Sequence, residues 1–331
     1  MGHELKETDG MFSVRERPWH GLGKILQDHP TSAADAIREA GLDWEVYTTP
    51  IYIEGKTKGK KLIQAGNDFR AVVRDRDERI LGVVGKNYHP VQNIDAFEFM
   101  DAAAGSGLVE YHTAGSLKNG RWVWILAKLP GMIKILPKDS IDKYLLLYQA
   151  HDGSMAVRIG LTPIRVVCWN TLSMAHQGVE SGKDRIATIR HTMNASQLLK
   201  DTAKAIAEAE AVFQDAANGW RFIAKVKMSA GKLDEYISTL FPYPAPKSDG
   251  TLPKDSFKAI RERIKELHEA GAGADIKGVR GTFWGGYNAV AEVIDHERGK
   301  NDDTRLRSQW FGNGAQIKQR AMSLALAMAS N

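Results

Sequence analysis

Tryptophan and basic side chains occur together on the predicted strands between residues 109 and 172. The pair Asn119-Gly120 predicts a hairpin there, because a type I′ turn needs positive φ at both central positions. On the second strand of this hairpin, Trp122 and Lys128 share one face. Aromatic rings stack on unpaired bases for about 1–3 kcal/mol each, and basic side chains bind phosphates. The pattern predicts a surface for single-stranded DNA formed by Arg121, Trp122, Lys128, Arg158, Arg165, Trp169 and Asn170.

Several of these residues also have a simple structural interpretation. The tryptophan face of the hairpin strand could be a second core beneath a long helix, which is the commoner use of aromatic side chains. Arg165 could pair with a buried carboxylate, and Asn170 could cap a helix that starts at Thr171. The sequence leaves the binding and the structural interpretations open.

A second group of residues has the side-chain types of a nuclease or hydrolase. It lies near predicted strand ends and consists of His151, Asp152, Cys168 and His191. The run His151-Asp152-Gly153 also predicts a turn between two strands, because Asp-Gly is a common turn pair. A lone cysteine in an apolar run is usually a small core residue. The structural interpretation is favoured for both features.

Familiar cofactor and metal motifs are absent from the sequence. No glycine cluster ends in the Gly-Lys-Ser/Thr of a phosphate-binding loop, and no His-Glu-x-x-His run is present. Gly105-Ser106-Gly107 precedes a predicted strand rather than a helix, so a dinucleotide site is not expected. No two histidines have the spacing of zinc ligands. We therefore predict no cofactor, no metal and no catalytic residue.

Composition favours a cytoplasmic protein. The chain has 331 residues, a net charge of +5 and one cysteine, Cys168, which fits a reducing compartment. The mild positive charge permits an anionic partner without proving one. No long uncharged apolar run predicts a membrane span, and the polar N-terminus is unlike a signal peptide.

Periodicity predicts an α+β fold: a twisted antiparallel sheet built from residues 44–169, with the Asn119-Gly120 hairpin at its centre, followed by a helical C-terminal region. We predict a core domain over 1–192, a long helix over 193–230, a linker over 231–253 and helices over 254–331. The linker is indicated by the proline-rich run 241–253.

The predicted long helix carries apolar residues at alternating steps of three and four between Leu199 and Ile223. Such a seam packs either on the sheet of its own chain or between subunits. Small residues at about half of the positions suit both arrangements. We predict a homo-oligomer, with this helix contributing contacts within or between subunits.

Runs spread over nearly the whole chain resemble a family of phage- and plasmid-encoded proteins of unassigned function. They include Pro18–Gly23, Gly85–Asn93, Thr113–Leu117, His151–Ser154 and Arg165–Leu172. This resemblance implies a mobile-element protein in a bacterial host and no particular chemistry. The order hairpin, further strands, long helix and helical tail is also similar to the ring-forming single-strand annealing proteins of the Red-beta, RecT and Erf class. That second resemblance implies a basic groove for single-stranded DNA.

Three function classes remain open from the sequence. The favoured one is an oligomeric protein that binds single-stranded DNA and promotes recombination or annealing. The second is an enzyme built on the histidine and aspartate group described above. The third is a host-interaction protein without a nucleic-acid partner.

Overall fold

The computed structural model describes residues 10–14, 23–30, 32–56, 61–104, 110–167, 185–205, 209–249, 251–298, 308 and 312–331. Its strands are β1 (Met11–Val14), β2 (Lys24–Leu26), β3 (Val46–Pro50), β4 (Tyr52–Glu54), β5 (Leu62–Gln64), β6 (Phe69–Arg74), β7 (Arg79–Gly85), β8 (Glu110–Leu117), β9 (Trp122–Leu136), β10 (Asp139–Ala150), β11 (Val157–Arg165) and β12 (Arg185–Ile189).

The helices are α1 (Ala33–Glu39), α2 (Asn93–Ala104), α3 (Ala195–Ala205), α4 (Ala209–Lys225), α5 (Ala230–Leu240), α6 (Lys258–Ala270), α7 (Phe283–Glu292), a π-helical turn (Val293–Glu297) and α8 (Asn313–Ser330). Strands dominate the first half of the described chain and helices the second. The predicted α+β class with a helical C-terminal region is confirmed.

The chain divides into two compact units. The first contains residues 1–130, 144–161 and 185–209, and the second contains 131–143, 162–184 and 210–331. The chain passes from one unit to the other within β9, β10 and β11. The domain boundaries predicted from composition remain a prediction.

A large sheet has the strand order β12-β11-β10-β9-β8-β1-β2, which places the β8–β9 hairpin at its centre, as predicted. Leu117 and Trp122 form the last pair of the hairpin, so four residues make the turn. Lys118, Asn119 and Gly120 all have positive φ, at 55°, 61° and 87°. The turn is therefore longer than the predicted two-residue type I′ turn.

The strands between residues 46 and 85 do not join the large sheet. They form a small antiparallel sheet of order β3-β6-β7, and β4 pairs with β5 in a separate two-stranded ribbon. The single sheet predicted over 44–169 is thus wrong in this respect. Period-2 patterns define which residues share a face, but they do not state which strand is the neighbour.

The segment predicted as one long helix contains the two helices α3 and α4. Residues 206–208 between them lie outside the described part of the chain. Leu199 of α3 is buried in the first unit, where α3 packs against α2 and β12. Phe213, Trp220 and Ile223 of α4 are buried in the second unit. These four residues of the apolar seam are therefore covered by their own chain.

None of the helices in the described ranges has the length and apolar character that crossing a membrane requires.

Candidate nucleic-acid interface

One face of the small sheet packs on the rest of the first unit. Val46, Val72 and Val84 lie on its inner face and are buried. The side-chain amide of Gln92 fixes the start of β3: its Oε1 accepts from the backbone N–H of Val46 at 2.9 Å, and its Nε2 donates to the carbonyl of Val46 at 2.8 Å. At Gly82 a Cβ atom would come within 2.5 Å of the Cα of Asp152, so β7 lies directly on the turn after β10.

The other face of the small sheet carries four exposed apolar side chains around Ala71 and Val73, which are buried at 4% and 5% exposure. Tyr47 pairs with Val73 in the register, and Val73 shares its face with Ala71 and Phe69. Ile80 and Val83 of β7 lie on this same face. The exposed large side chains are Tyr47 at 45%, Phe69 at 55%, Ile80 at 58% and Val83 at 58%. Exposed large apolar side chains grouped on one sheet face mark interaction sites. We call the face formed by Tyr47, Phe69, Ile80 and Val83 the platform.

The segment that contains the platform carries most of the net charge of the chain. Residues 46–86 include nine basic and five acidic residues, a net charge of +4, whereas the whole chain has +5. At the β6–β7 turn the charges are paired, because Arg74 and Arg79 both contact Asp77. These contacts hold the pKa of Asp77 at about 2. The excess positive charge therefore lies away from this turn.

Trp122 of the predicted surface and its neighbour Trp124 lie in the core of the first unit. Trp122 is only 4% exposed, and its Nε1 donates to Asp152 Oδ2 at 3.1 Å and to Ser154 Oγ at 3.2 Å. Trp124 is buried as well, and so are Val123, Ile125 and Ala127 on the opposite face of β9. Both faces of β9 are therefore covered over residues 122–127, and the indole rings of Trp122 and Trp124 offer no open stacking surface.

Arg165 is fully buried in the second unit. Its guanidinium binds both carboxylate oxygens of Asp139 at 2.7–3.1 Å and donates to the carbonyl of Ala272 at 3.2 Å. Trp284 Nε1 donates to the same carboxylate at 2.8 Å, and the guanidinium lies 5.6 Å from the Trp284 ring. Arg165 thus has the buried carboxylate partner that the structural interpretation requires.

The other predicted contacts differ in exposure. Arg121 is exposed in the hairpin turn, and Lys128 and Arg158 are half-buried on the large sheet. Lys128 lies opposite Glu110 in the register. Trp169 and Asn170 lie outside the described residues. Arg121, Lys128 and Arg158 remain predicted contacts.

Two histidines of the enzyme hypothesis lie close together in the first unit. Nε2 of His151 is 3.0 Å from Oδ1 of Asn93, and its Nδ1 is buried with no hydrogen-bond partner in the described part of the chain. His191 stacks on Tyr88 at 4.8 Å between ring centroids. Burial, reinforced by His191, lowers the pKa of His151 to about 3. Burial also lowers the pKa of His191 to about 4, although nearby backbone groups oppose this shift.

Asp152 does not orient the imidazole of His151. Its carboxylate accepts hydrogen bonds from Trp122 and from the backbone N–H of Ser154, which lies 2.9 Å away. Gly153 follows with φ of 76°, so the run is a turn.

Cys168 lies outside the described residues, and no group of three potential metal ligands occurs within the described ranges. The histidines therefore have the environment of core side chains.

The platform was missed by sequence reasoning although its alternation was visible. Phe69, Ala71 and Val73 alternate with Arg70, Val72 and Arg74, which predicts a half-buried strand. In the structure Phe69 is exposed, whereas Ala71 and Val73 on the same face are buried, as are the other central residues of this strand. The net charge of residues 46–86 is the signal that could have drawn attention to this segment.

The fold and the candidate site define an α+β protein that presents an open sheet face as its candidate binding surface. The chain belongs to a family described as a domain of unknown function (DUF932), whose model matches residues 80–310. The matched segment starts inside β7 and includes His151, whereas Tyr47 and Phe69 precede it. No curated protein and no solved structure matches the chain. Function must therefore be argued from the residues of this chain.

Proposed function

We propose that this protein binds single-stranded DNA and that the bases stack on the platform. The observation that supports this most directly is the pair of exposed aromatic rings, Tyr47 and Phe69, on one face of a sheet whose other face is anchored. Proteins that bind single strands combine such aromatic platforms with a positive margin that follows the phosphates. The net charge of +4 over residues 46–86 supplies that margin.

The protein acts in recombination or annealing as a homo-oligomer encoded by a phage or plasmid, in the cytoplasm of a bacterial host. This part of the proposal rests on the resemblance to single-strand annealing proteins and on the order of hairpin, strands and helices. The solution mass, measured by light scattering with and without an oligonucleotide, tests the oligomer. A monomer in both conditions would remove this part and leave single-strand binding in place.

We expect a Tyr47→Ala/Phe69→Ala variant to lose most of its affinity for a labelled single-stranded oligonucleotide. Each stacked base contributes about 1–3 kcal/mol, so each ring removed should weaken binding roughly five- to 150-fold. Fluorescence anisotropy at low salt measures the change. Both side chains are exposed, so the free energy of unfolding should change by no more than about 0.5 kcal/mol per substitution.

Phe222→Ala is the matched control, because Phe222 is an exposed aromatic residue of α4 in the second unit. Its affinity should equal that of the unmodified protein. Equal affinities for all three proteins would show that the platform does not stack bases. Absence of binding at low salt by the unmodified protein would instead favour the host-interaction hypothesis.

A further inference from the structure

The β4–β5 ribbon continues the small sheet beyond its platform. Tyr52 pairs with Gln64, Ile53 with Ile63, and Glu54 with Leu62. The backbone N–H of Ala65 donates to the carbonyl of Ile51 at 2.7 Å, which extends the ribbon ladder to the residue that follows β3. We call residues 52–56 and 61–64 the arm. Residues 57–60 lie outside the described part of the chain.

The arm is exposed on both faces. All six residues of β4 and β5 are exposed, including Tyr52 at 55% and Leu62 at 67%. A two-stranded ribbon is at best marginally stable in water unless something packs on it. Four large apolar side chains presented in this way indicate a surface that is covered when the protein is bound to its partner.

Charge identifies the kind of partner. Lys56 and Lys61 are exposed where the two strands of the arm leave the described residues, and neither forms an ion pair with any other described residue. At the opposite end of the small sheet the arginines are paired with Asp77. Unpaired lysines beside apolar and aromatic side chains fit a polyanion that also has flat apolar surfaces, as a polynucleotide has.

We propose that the arm is a second contact with the DNA strand, in which Lys56 and Lys61 bind phosphates of nucleotides beyond those stacked on the platform. This inference rests on the proposed function, because the platform holds the bases of the same strand. The arm would then determine how many nucleotides are bound and how strongly salt weakens the complex. The platform would determine the stacking energy.

The test compares a Lys56→Gln/Lys61→Gln variant with the unmodified protein by anisotropy over a range of salt concentrations. Each phosphate contact with a single strand contributes about 0.7 to the slope of log K against log salt. Loss of two contacts should lower the magnitude of the slope by about 1.4 and should weaken binding at low salt roughly tenfold. Lys247→Gln/Lys254→Gln is the control, because both lysines are exposed and lie outside the first unit.

Length dependence separates the arm from the platform. With oligonucleotides of about 4 and about 16 nucleotides, the range of site sizes of single-strand-binding folds, the arm variant should lose affinity only for the longer strand. The Tyr47→Ala/Phe69→Ala variant should lose affinity for both. A slope unchanged by the arm substitutions, in a protein that still binds DNA, would overturn the arm contact and leave the proposed function standing.

Two other partners of the arm would also overturn the inference. A fall in solution mass on Ile53→Ser/Ile63→Ser substitution would show that the arm packs on a second copy of the chain. Binding of anionic lipid vesicles, lost in the Lys56→Gln/Lys61→Gln variant while oligonucleotide affinity is unchanged, would assign the arm to a membrane surface. Failure of the unmodified protein to bind any oligonucleotide would overturn the arm contact together with the proposed function.

Discussion

Replacing Asp139 with alanine is expected to lower the free energy of unfolding by about 3–5 kcal/mol, because a buried guanidinium would lose its only carboxylate partner among the described residues. Asp139 accepts three hydrogen bonds from Arg165 at 2.7–3.1 Å and one from Trp284 at 2.8 Å, and all three side chains are buried. Urea unfolding followed by circular dichroism measures the loss. Where the second unit unfolds separately, the loss should appear in its transition.

Asp234→Ala is the matched control, since Asp234 pairs with Lys265 on the surface with 59% and 45% of the two side chains exposed. Exposed pairs contribute about 0–1 kcal/mol, so this variant should unfold almost as the unmodified protein does. An Asp139→Leu/Arg165→Met variant should recover much of the stability, because apolar residues can replace a buried ion pair. Equal losses in Asp139→Ala and Asp234→Ala would contradict the buried network.

Acid is expected to destabilise the first unit well above the pH at which carboxylates are protonated. The folded state holds the pKa of His151 at about 3 and that of His191 at about 4, below the usual 6.5. Between these values the unfolded chain binds protons that the folded chain does not bind. Stability is therefore complete above about pH 6.5 and decreases as the pH falls toward the folded-state pKa values. Each pH unit costs up to about 1.4 kcal/mol per histidine, so roughly 5 kcal/mol should be lost by about pH 4.5.

Denaturant midpoints measured between pH 7 and pH 4.5 test this expectation in unmodified protein and in a His151→Gln/His191→Gln variant. The variant begins less stable, but its stability should depend less steeply on pH. His89→Gln is the control, because His89 is exposed in the same unit. Burial also lowers the pKa of His268 in the second unit, so the slope of the variant should not fall to zero. Identical slopes in all three proteins would show that His151 and His191 are not buried neutral side chains.

The elements with strong local signals were predicted well. The Asn119-Gly120 hairpin lies where its turn residues place it. This signal acts over a few residues, through positive φ in the turn. The α+β class was predicted from the period-2 and helical patterns of apolar residues. The sequence did not predict that the turn at Lys118 has four residues. It also did not predict the division into separate sheets, because strand pairing joins residues that are distant in sequence.

The sequence analysis correctly placed aromatic and basic residues on β9 and β11, but the sequence does not show which residues they contact. An arginine in an apolar run looks the same whether it binds a phosphate or a buried carboxylate. Arg165 and Asp139 are separated by 26 residues in sequence, and Ala272 lies a further 107 residues beyond Arg165. Trp122 is likewise buried through contacts with the turn at Asp152, 30 residues away.

By itself, the sequence determined the chemistry that is available: aromatic rings, lysines, two histidines and the periodic elements that carry them. Tertiary structure decided which of these side chains are exposed. It buried Trp122 and Arg165 and left Tyr47 and Phe69 on an open sheet face. The physical reason is that exposure depends on which strands and helices cover a residue, and those contacts join distant parts of the chain. A period-2 pattern gives two faces of a strand, and only the packed fold determines which one meets solvent.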